Sequence, residues 1–297
     1  MLQEVASLGF EWVELSHGIR ISLVPGILRA LGEGVIRVSS THNFCPLPTG
    51  FTSPAPNIYM PSTADHREHS QWLRQTKRTL DFAQQVGARV VVMHLGQVDF
   101  FWFSPLGKYR KYLKAKGDEF SADAPEYKEL LAKTLRRIRK CATAPLARVT
   151  ASLEEILPYA AERGLRLGLE NRERIEELPL DDGFPDLFAS LSEQGVAGYW
   201  HDCGHAQIKQ RGGLTDHARQ LEQNADHLVG FHLHDIDASG RDHQPVGTGS
   251  IDFGMVSRFF RPEHVLVLEY GPRVTPAAVL ESKQRIEALI PPSTISL

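Results

Sequence analysis

Cysteine is scarce in this sequence and long apolar runs are missing. Its 297 residues include only three cysteines, Cys45, Cys141 and Cys203, far apart and without a CxxC pair. An odd, scattered set excludes a disulfide framework and fits a reducing compartment. No apolar stretch approaches the ~18 residues of a transmembrane helix, so no membrane association is expected. The opening residues, MLQEVASLGFEW, have no basic segment leading into a long apolar one. No secretory leader is therefore expected, and the cytoplasm is the expected location. Positive charge is not in excess either, with a net charge of -3. That argues against a polybasic nucleic-acid surface, although a local groove would be hidden in the total. There is no fixed-period repeat, low-complexity tract or interdomain linker. A single domain spanning residues 1–297 is the expected organisation.

What is present is a series of short, β-branched, nearly all-apolar runs. They fall at 11–16, 34–42, 88–96, 165–171, 195–202, 228–235 and 264–270. Such runs suit parallel strands covered on both faces. Helical patterns lie between them. One covers 66–87 and ends at Gly87; another is expected over 150–164, where Ser152 and Glu155 have capping-box spacing and Gly164 suits a helix end. Alternating strands and helices mean an open doubly wound sheet or a closed (β/α)8 barrel. Seven strands are visible where a barrel needs eight, so the first strand is expected to be missing or truncated at the N-terminus. Residues 97–149 separate two strands by far more than an ordinary connection and predict a helical insertion, either a lid over a site or an outer layer. Residues 45–61, rich in proline and small residues, read as a long loop.

The polar residues are not scattered. Runs of apolar residues end in His42, His94, Glu170, Asp202, His232 and Glu269, and the later ones lie about one βα unit apart. In a parallel barrel or sheet, the carboxyl ends of the strands share one face, so these six side chains would surround one cavity. Three carboxylates brought together without a cation would repel one another and take up protons. A divalent ion removes that cost. An imidazole in the same set moves the preference from Mg towards Mn, Co, Fe or Zn.

The ordered motifs STHN, VVMHLG, LGLEN, HDCGHA, GFHLHD, GRDHQPVGTGSIDFG and LVLEY resemble the xylose isomerase-like TIM-barrel superfamily, outside the 97–149 insertion. The resemblance implies a (β/α)8 fold and a divalent ion (Mn, Co, Mg or Zn) held by Glu170, Asp202, His232 and Glu269. It implies sugar isomerase or epimerase chemistry, with Glu170 and Glu269 moving a proton through an enediolate. By the same resemblance, His205 and Arg241 bind substrate oxygens, and His42, His94 and His243 also face the substrate. The implied partner is a small carbohydrate or polyol rather than nucleic acid. Three alternatives stay open: a non-catalytic sugar-binding or scaffold relative, an inosose-type dehydratase or other lyase, and an endonuclease IV-like zinc hydrolase. The last implies three zinc ions on His42, His94, Glu170, Asp202, His205, His232, His243 and Glu269. Its ninth ligand would be an aspartate where Arg241 stands, with Asp242 offset by one.

Weaker signals remain. Glu14 and His17 could touch substrate or finish a strand, and Asn171 could position a ligand or cap a turn. Asp235 is expected to orient His232, whereas His201, Cys203 and His234 read as structural. The glycine-rich 246–254 stretch reads as a tight loop rather than a nucleotide cradle. The aromatic run 100–103 could cover a sugar face, stack on a partner chain or fold back as core. An incomplete barrel with exposed aromatics is consistent with a homo-dimer.

Overall fold

The structure, a computed structural model, describes residues 1–100, 104–193 and 195–290. Seven strands form one sheet: β1 (Trp12–Leu15), β2 (Arg37–His42), β3 (Val90–Met93), β4 (Arg166–Glu170), β5 (Ala197–Asp202), β6 (Leu228–Leu233) and β7 (Val265–Leu268). Their spatial order is their chain order, and every neighbouring pair is parallel. The sheet curls into a nearly closed barrel, with β1 and β7 at its two edges. Each expected strand is found, trimmed by a few residues at its ends. No eighth strand joins the sheet among the described residues.

Helices connect the strands on the outside. In chain order they are α1 (Leu2–Ser7), α2 (Val24–Gly32), α3 (His66–Gln85), α4 (Leu106–Lys116) and α5 (Pro125–Ala161). Then follow α6 (Phe184–Ser190), α7 (Cys203–Arg211), α8 (His217–Asn224), α9 (Phe253–Ser257) and α10 (Pro276–Glu287). The expected helix start near Thr150 is not found. No cap forms at Ser152, because α5 runs unbroken through it for 37 residues. Leu131, Ile138, Ala142, Val149, Leu153, Ile156 and Ala160 form one continuous buried stripe, so nothing in the packing calls for a break. The Ser152 hydroxyl instead donates to the Pro61 carbonyl at 3.1 Å. The 97–149 insertion is thus α4 plus the first two-thirds of a helix whose last part is the ordinary cover of β4. Of the aromatic run, Phe100 packs half-buried against the core, and residues 101–103 lie outside the described residues. No helix among those described is long and apolar enough to cross a membrane.

Strand alternation decides what faces the barrel axis. Val91, Met93, Leu167, Leu169, Tyr199, Phe231 and Leu233 point outward into the large core under the helices. Val90, Val92, Trp200 and Val265 point inward and fill the barrel floor, joined there by Val229. The room for Trp200 comes from glycines on the flanking strands. A Cβ on Gly230 would lie 2.3 Å from the indole, and one on Gly168 would lie 3.0 Å from it. Gly230→Ala is therefore expected to destabilise the fold by about 2 kcal/mol through overpacking. A lowered midpoint of thermal unfolding would register it; an unchanged midpoint would contradict this packing.

Candidate metal centre

The same two-residue period sets the site. Counting inward-facing positions upward from the floor, Val90 and Val92 are followed by His94, Gly168 by Glu170, and Trp200 by Asp202. On the other side Gly230 is followed by His232 and His234, and Val265 and Val267 by Glu269. With His42 from β2 and Glu14 from β1, all seven strands deliver a histidine or carboxylate towards the carboxyl end of the barrel. His42, Glu170, Asp202 and His232 are all almost completely buried. The indole of Trp200 lies edge-on beneath His232, with centroids 5.0 Å apart.

His232 is the hub. Its Nδ1 lies 3.1 Å from Glu170 Oε1, 3.1 Å from Glu269 Oε2 and 3.7 Å from Asp202 Oδ2. Its Nε2 lies 3.0 Å from Glu14 Oε1. Burial opposes a charge on this ring, yet Glu269 and Glu14 raise its pKa well above the ordinary histidine value. Three carboxylates thus converge on its Nδ1 and a fourth meets its Nε2. Those spacings suit a metal. An ion about 2.1 Å from each ligand holds neighbouring donor atoms roughly 3.0–3.4 Å apart. Such an ion would take the place of the Nδ1 proton, while Nε2–H continues to donate to Glu14. Glu14 is then the carboxylate partner that orients a metal-binding imidazole, and Ser40 Oγ holds it from β2 at 2.7 Å. Asp235 does not have the role expected of it. Its carboxylate accepts from the backbone N–H groups of Gly247, Gly249, Ser250 and Ile251, and so ties down the glycine-rich loop.

The two oxygens of Glu170 face different surroundings. Oε1 faces His232 as above. Oε2 lies 2.8 Å from Arg172 Nη1, 2.8 Å from His94 Nε2 and 3.6 Å from His42 Nε2. Burial opposes ionisation of Glu170, but Arg172 and His94 hold its pKa well below the ordinary carboxylate range. Arg172, which also pairs with Glu177 at 3.4 Å, was not legible as a site residue. Only its position two residues after a strand-end glutamate hinted at it. His42 donates from Nδ1 to the Asn43 carbonyl at 3.0 Å, which leaves Nε2 as a bare acceptor towards the site. His17 stands edge-on to His42 at 4.7 Å. Burial, then His42, pushes its pKa down to about 3.

Asp202 is fixed from both sides. Asn171 donates to its carbonyl at 2.9 Å and accepts from its N–H at 2.6 Å. His234, expected to be structural, reaches Asp202 Oδ2 through Nε2 at 3.0 Å. The His243 backbone N–H donates to His234 Nδ1 at 3.0 Å, which puts the ring proton on Nε2. Gly204, in the first turn of α7, makes this contact possible, because a Cβ there would lie 2.1 Å from the His234 ring. Gly204→Ala is expected to weaken divalent-metal binding about 10- to 100-fold by displacing this support; an unchanged affinity in a metal titration would reject the assignment.

His205 donates from Nδ1 to the Asn171 carbonyl at 3.0 Å and turns Nε2 towards Asp242, 4.0 Å away. His243 lies 2.8 Å from Asp242 and 3.6 Å from Glu269. Burial works against its charge, but Asp242 and Glu269 push its pKa up to about 11. Arg241 does not join the cluster. Its guanidinium is exposed and paired with Asp237 at 2.8 Å, on the wall of a 660 Å³ cleft that Asp242 and His243 share. His201 and Cys203 face away from the barrel axis. His201 bonds Tyr199 and His217, both outside the site.

A family model described as xylose isomerase-like TIM barrel matches residues 2–289. The chain belongs to that family. Among solved structures, this xylose isomerase-like barrel is similar to an L-ribulose 3-epimerase. The identity is 13% and the TM-score 0.67, over 97% of this chain and 87% of the other. It is similar to a 3-keto-D-glucoside 4-epimerase from E. coli at 16% identity and TM-score 0.65, over 97% and 92%. A D-psicose 3-epimerase from Clostridium cellulolyticum H10 gives 11% and 0.65, over 97% and 92%. At such identities the likeness is one of fold. No curated protein matches the xylose isomerase-like chain in sequence.

Proposed function

We propose that the protein is a divalent-metal-dependent isomerase or epimerase acting on a sugar, keto-sugar or polyol. The observation that carries this reading is the convergence of Glu170, Asp202 and Glu269 on one nitrogen of His232. Glu170, Asp202, His232 and Glu269 would hold the ion. When bound, it would polarise a substrate carbonyl and acidify the adjacent C–H. Glu269 and Glu170 would move the proton. Both are held ionised, so either can accept it. Glu170 is clamped by Arg172, whereas the charged partners of Glu269 among the described residues are His232 and His243. His205 Nε2, whose nearest charged partner among the described residues is Asp242 at 4.0 Å, is placed to meet a substrate hydroxyl. His42, whose Nδ1 donates to the Asn43 carbonyl, turns Nε2 towards the site and would meet a further substrate oxygen. A small carbohydrate partner agrees with this chemistry.

One observation favours a second reading, a multinuclear zinc hydrolase. Asp242 reaches His205 and His243 despite its offset, so a third-ion donor set exists. Arg172 weighs against it. A metal ion bound to Glu170 Oε2 at about 2.1 Å would lie within about 5 Å of the guanidinium. Repulsion there is on the order of 3 kcal/mol per unit charge at an effective dielectric of about 20, hence roughly 6 for a divalent ion. The purified protein is expected to carry about one divalent ion per chain and to exchange solvent deuterium into the carbon beside the carbonyl of a ketose or inosose. Three zinc ions with cleavage of an abasic oligonucleotide would establish the hydrolase instead, and the absence of metal would reject both readings.

A further inference from the structure

The insertion does more than cover β4. Between α4, the start of α5, the C-terminal end of α7 and the loops that follow β4 and β6 lies a cleft of about 1080 Å³. That is slightly above the range for sites that take drug-sized ligands, about 300–1,000 Å³. Two of its walls, residues 173–176 and 238–240, leave the carboxyl ends of β4 and β6, the end of the barrel that carries the metal centre. Glu173 forms the common wall of cleft and centre: it lines the cleft, and its carboxylate lies within 4.8 Å of the ligand atoms of His205 and Asp242.

The character of the two chambers differs. The metal centre is lined by carboxylates and imidazoles. The floor of the cleft is formed by Leu113, Phe120, Tyr127, Ile208 and Leu214. Tyrosine hydroxyls do not make this floor polar. Tyr127 donates its hydroxyl to the Gly212 carbonyl at 2.7 Å, and Tyr109 and Tyr127 bring their hydroxyls within 3.3 Å of each other. The aromatic floor therefore offers ring and aliphatic surface, with its hydroxyls already paired. A second sugar ring would leave many hydroxyls without partners there, at a cost for each one buried. Five charged residues also line the cleft, Arg110, Glu173, Arg174, Glu176 and Arg211, but they are engaged with protein partners: Arg110 with Glu176, Arg174 with Glu173 at 3.6 Å, and Arg211 with the Asp237 carbonyl at 2.8 Å.

We infer that the substrate is a sugar bearing an apolar or aromatic substituent, with the sugar at the metal centre and the substituent in this cleft. The inference rests on the sugar-isomerase reading of the metal centre. Free monosaccharides would fill only the polar chamber and leave the apolar one wet.

The test compares methyl and 4-nitrophenyl glycosides of glucose, galactose, mannose and xylose by titration calorimetry on the full chain, with metal content measured on the same preparation. At least one pair is expected to show about tenfold tighter binding of the aryl member, the return for burying one ring. Ala238→Trp, at an exposed position on the cleft wall, should fill the cleft and erase that ratio while methyl-glycoside affinity stays within about twofold. Phe120→Ala should reduce the ratio by removing the floor. Equal binding within every pair, or no binding by any aryl member, overturns the inference. So does an aryl preference that survives Ala238→Trp, or tighter binding of a sugar phosphate than of the aryl glycoside. The two readings fail separately. Metal and deuterium exchange without aryl preference would remove the cleft inference alone; aryl preference in a metal-free, exchange-inactive protein would remove the isomerase reading alone.

Discussion

Glu170→Gln is expected to strip the protein of its divalent ion and to lower proton-exchange activity by about 10²–10⁴-fold, the usual worth of a positioned acid–base group. The substitution keeps the shape of the side chain and removes its charge. Glu170 Oε1 lies 3.1 Å from the ring nitrogen on which the other carboxylates converge, so the donor set loses a charged member. A second effect follows from Oε2. Arg172 is almost buried and would keep only Glu177, at 3.4 Å, as a charged partner. Breaking a buried pair from one side costs about 3 kcal/mol or more, so the variant should also unfold at lower denaturant. Elemental analysis, deuterium exchange and urea unfolding read the three effects. Glu269→Gln should lose metal and activity with a smaller change in stability, because no arginine depends on it. Equal destabilisation by the two variants would contradict the role of Arg172 as the clamp on Glu170.

Arg172→Met is expected to raise metal content from about one to about two divalent ions per chain. His42, His94 and Glu170 already lie close enough to bind an ion together, with ligand atoms within 4.8 Å of one another. His42 even presents a bare nitrogen, its proton committed to Asn43. What stands against a second ion is the guanidinium on Glu170 Oε2, which repels a divalent ion by roughly 6 kcal/mol. Methionine keeps much of the volume and removes the charge. Stoichiometry by elemental analysis decides the matter without reference to catalysis. A variant that still holds one ion would show that something other than Arg172 limits the count, and a wild-type protein with two or more ions would show that the guanidinium excludes nothing.

The fold and the cluster of histidines and carboxylates were legible for the same reason. A strand alternates its side chains, and parallel strands end together, so an apolar run closing on a histidine or carboxylate states both the strand and the face to which its last residue points. Glu170, Asp202, His232 and Glu269 could be brought together on that basis before any distance was known. The α5 boundary was not legible, because a capping-box spacing at Ser152 looks the same whether the hydroxyl caps a helix or bonds a neighbouring loop. The partners of the ligands were less legible still. Asp235 stands three residues after His232 and seemed its natural support, yet Glu14, on the far side of the barrel, holds that ring. Barrel curvature sets this contact, and one sequence carries no direct record of it.

Sequence alone determined the parallel alternation, the ring of strand-end histidines and carboxylates and the long insertion after β3, because each is written in local periodicity or chain length. Only the tertiary structure decided that Arg172 guards one oxygen of Glu170, that Arg241 turns away to Asp237, and that the insertion leaves an apolar cleft beside the metal centre. Those facts depend on distances across the barrel between residues far apart in the chain, where local pattern carries no information and packing makes the choice.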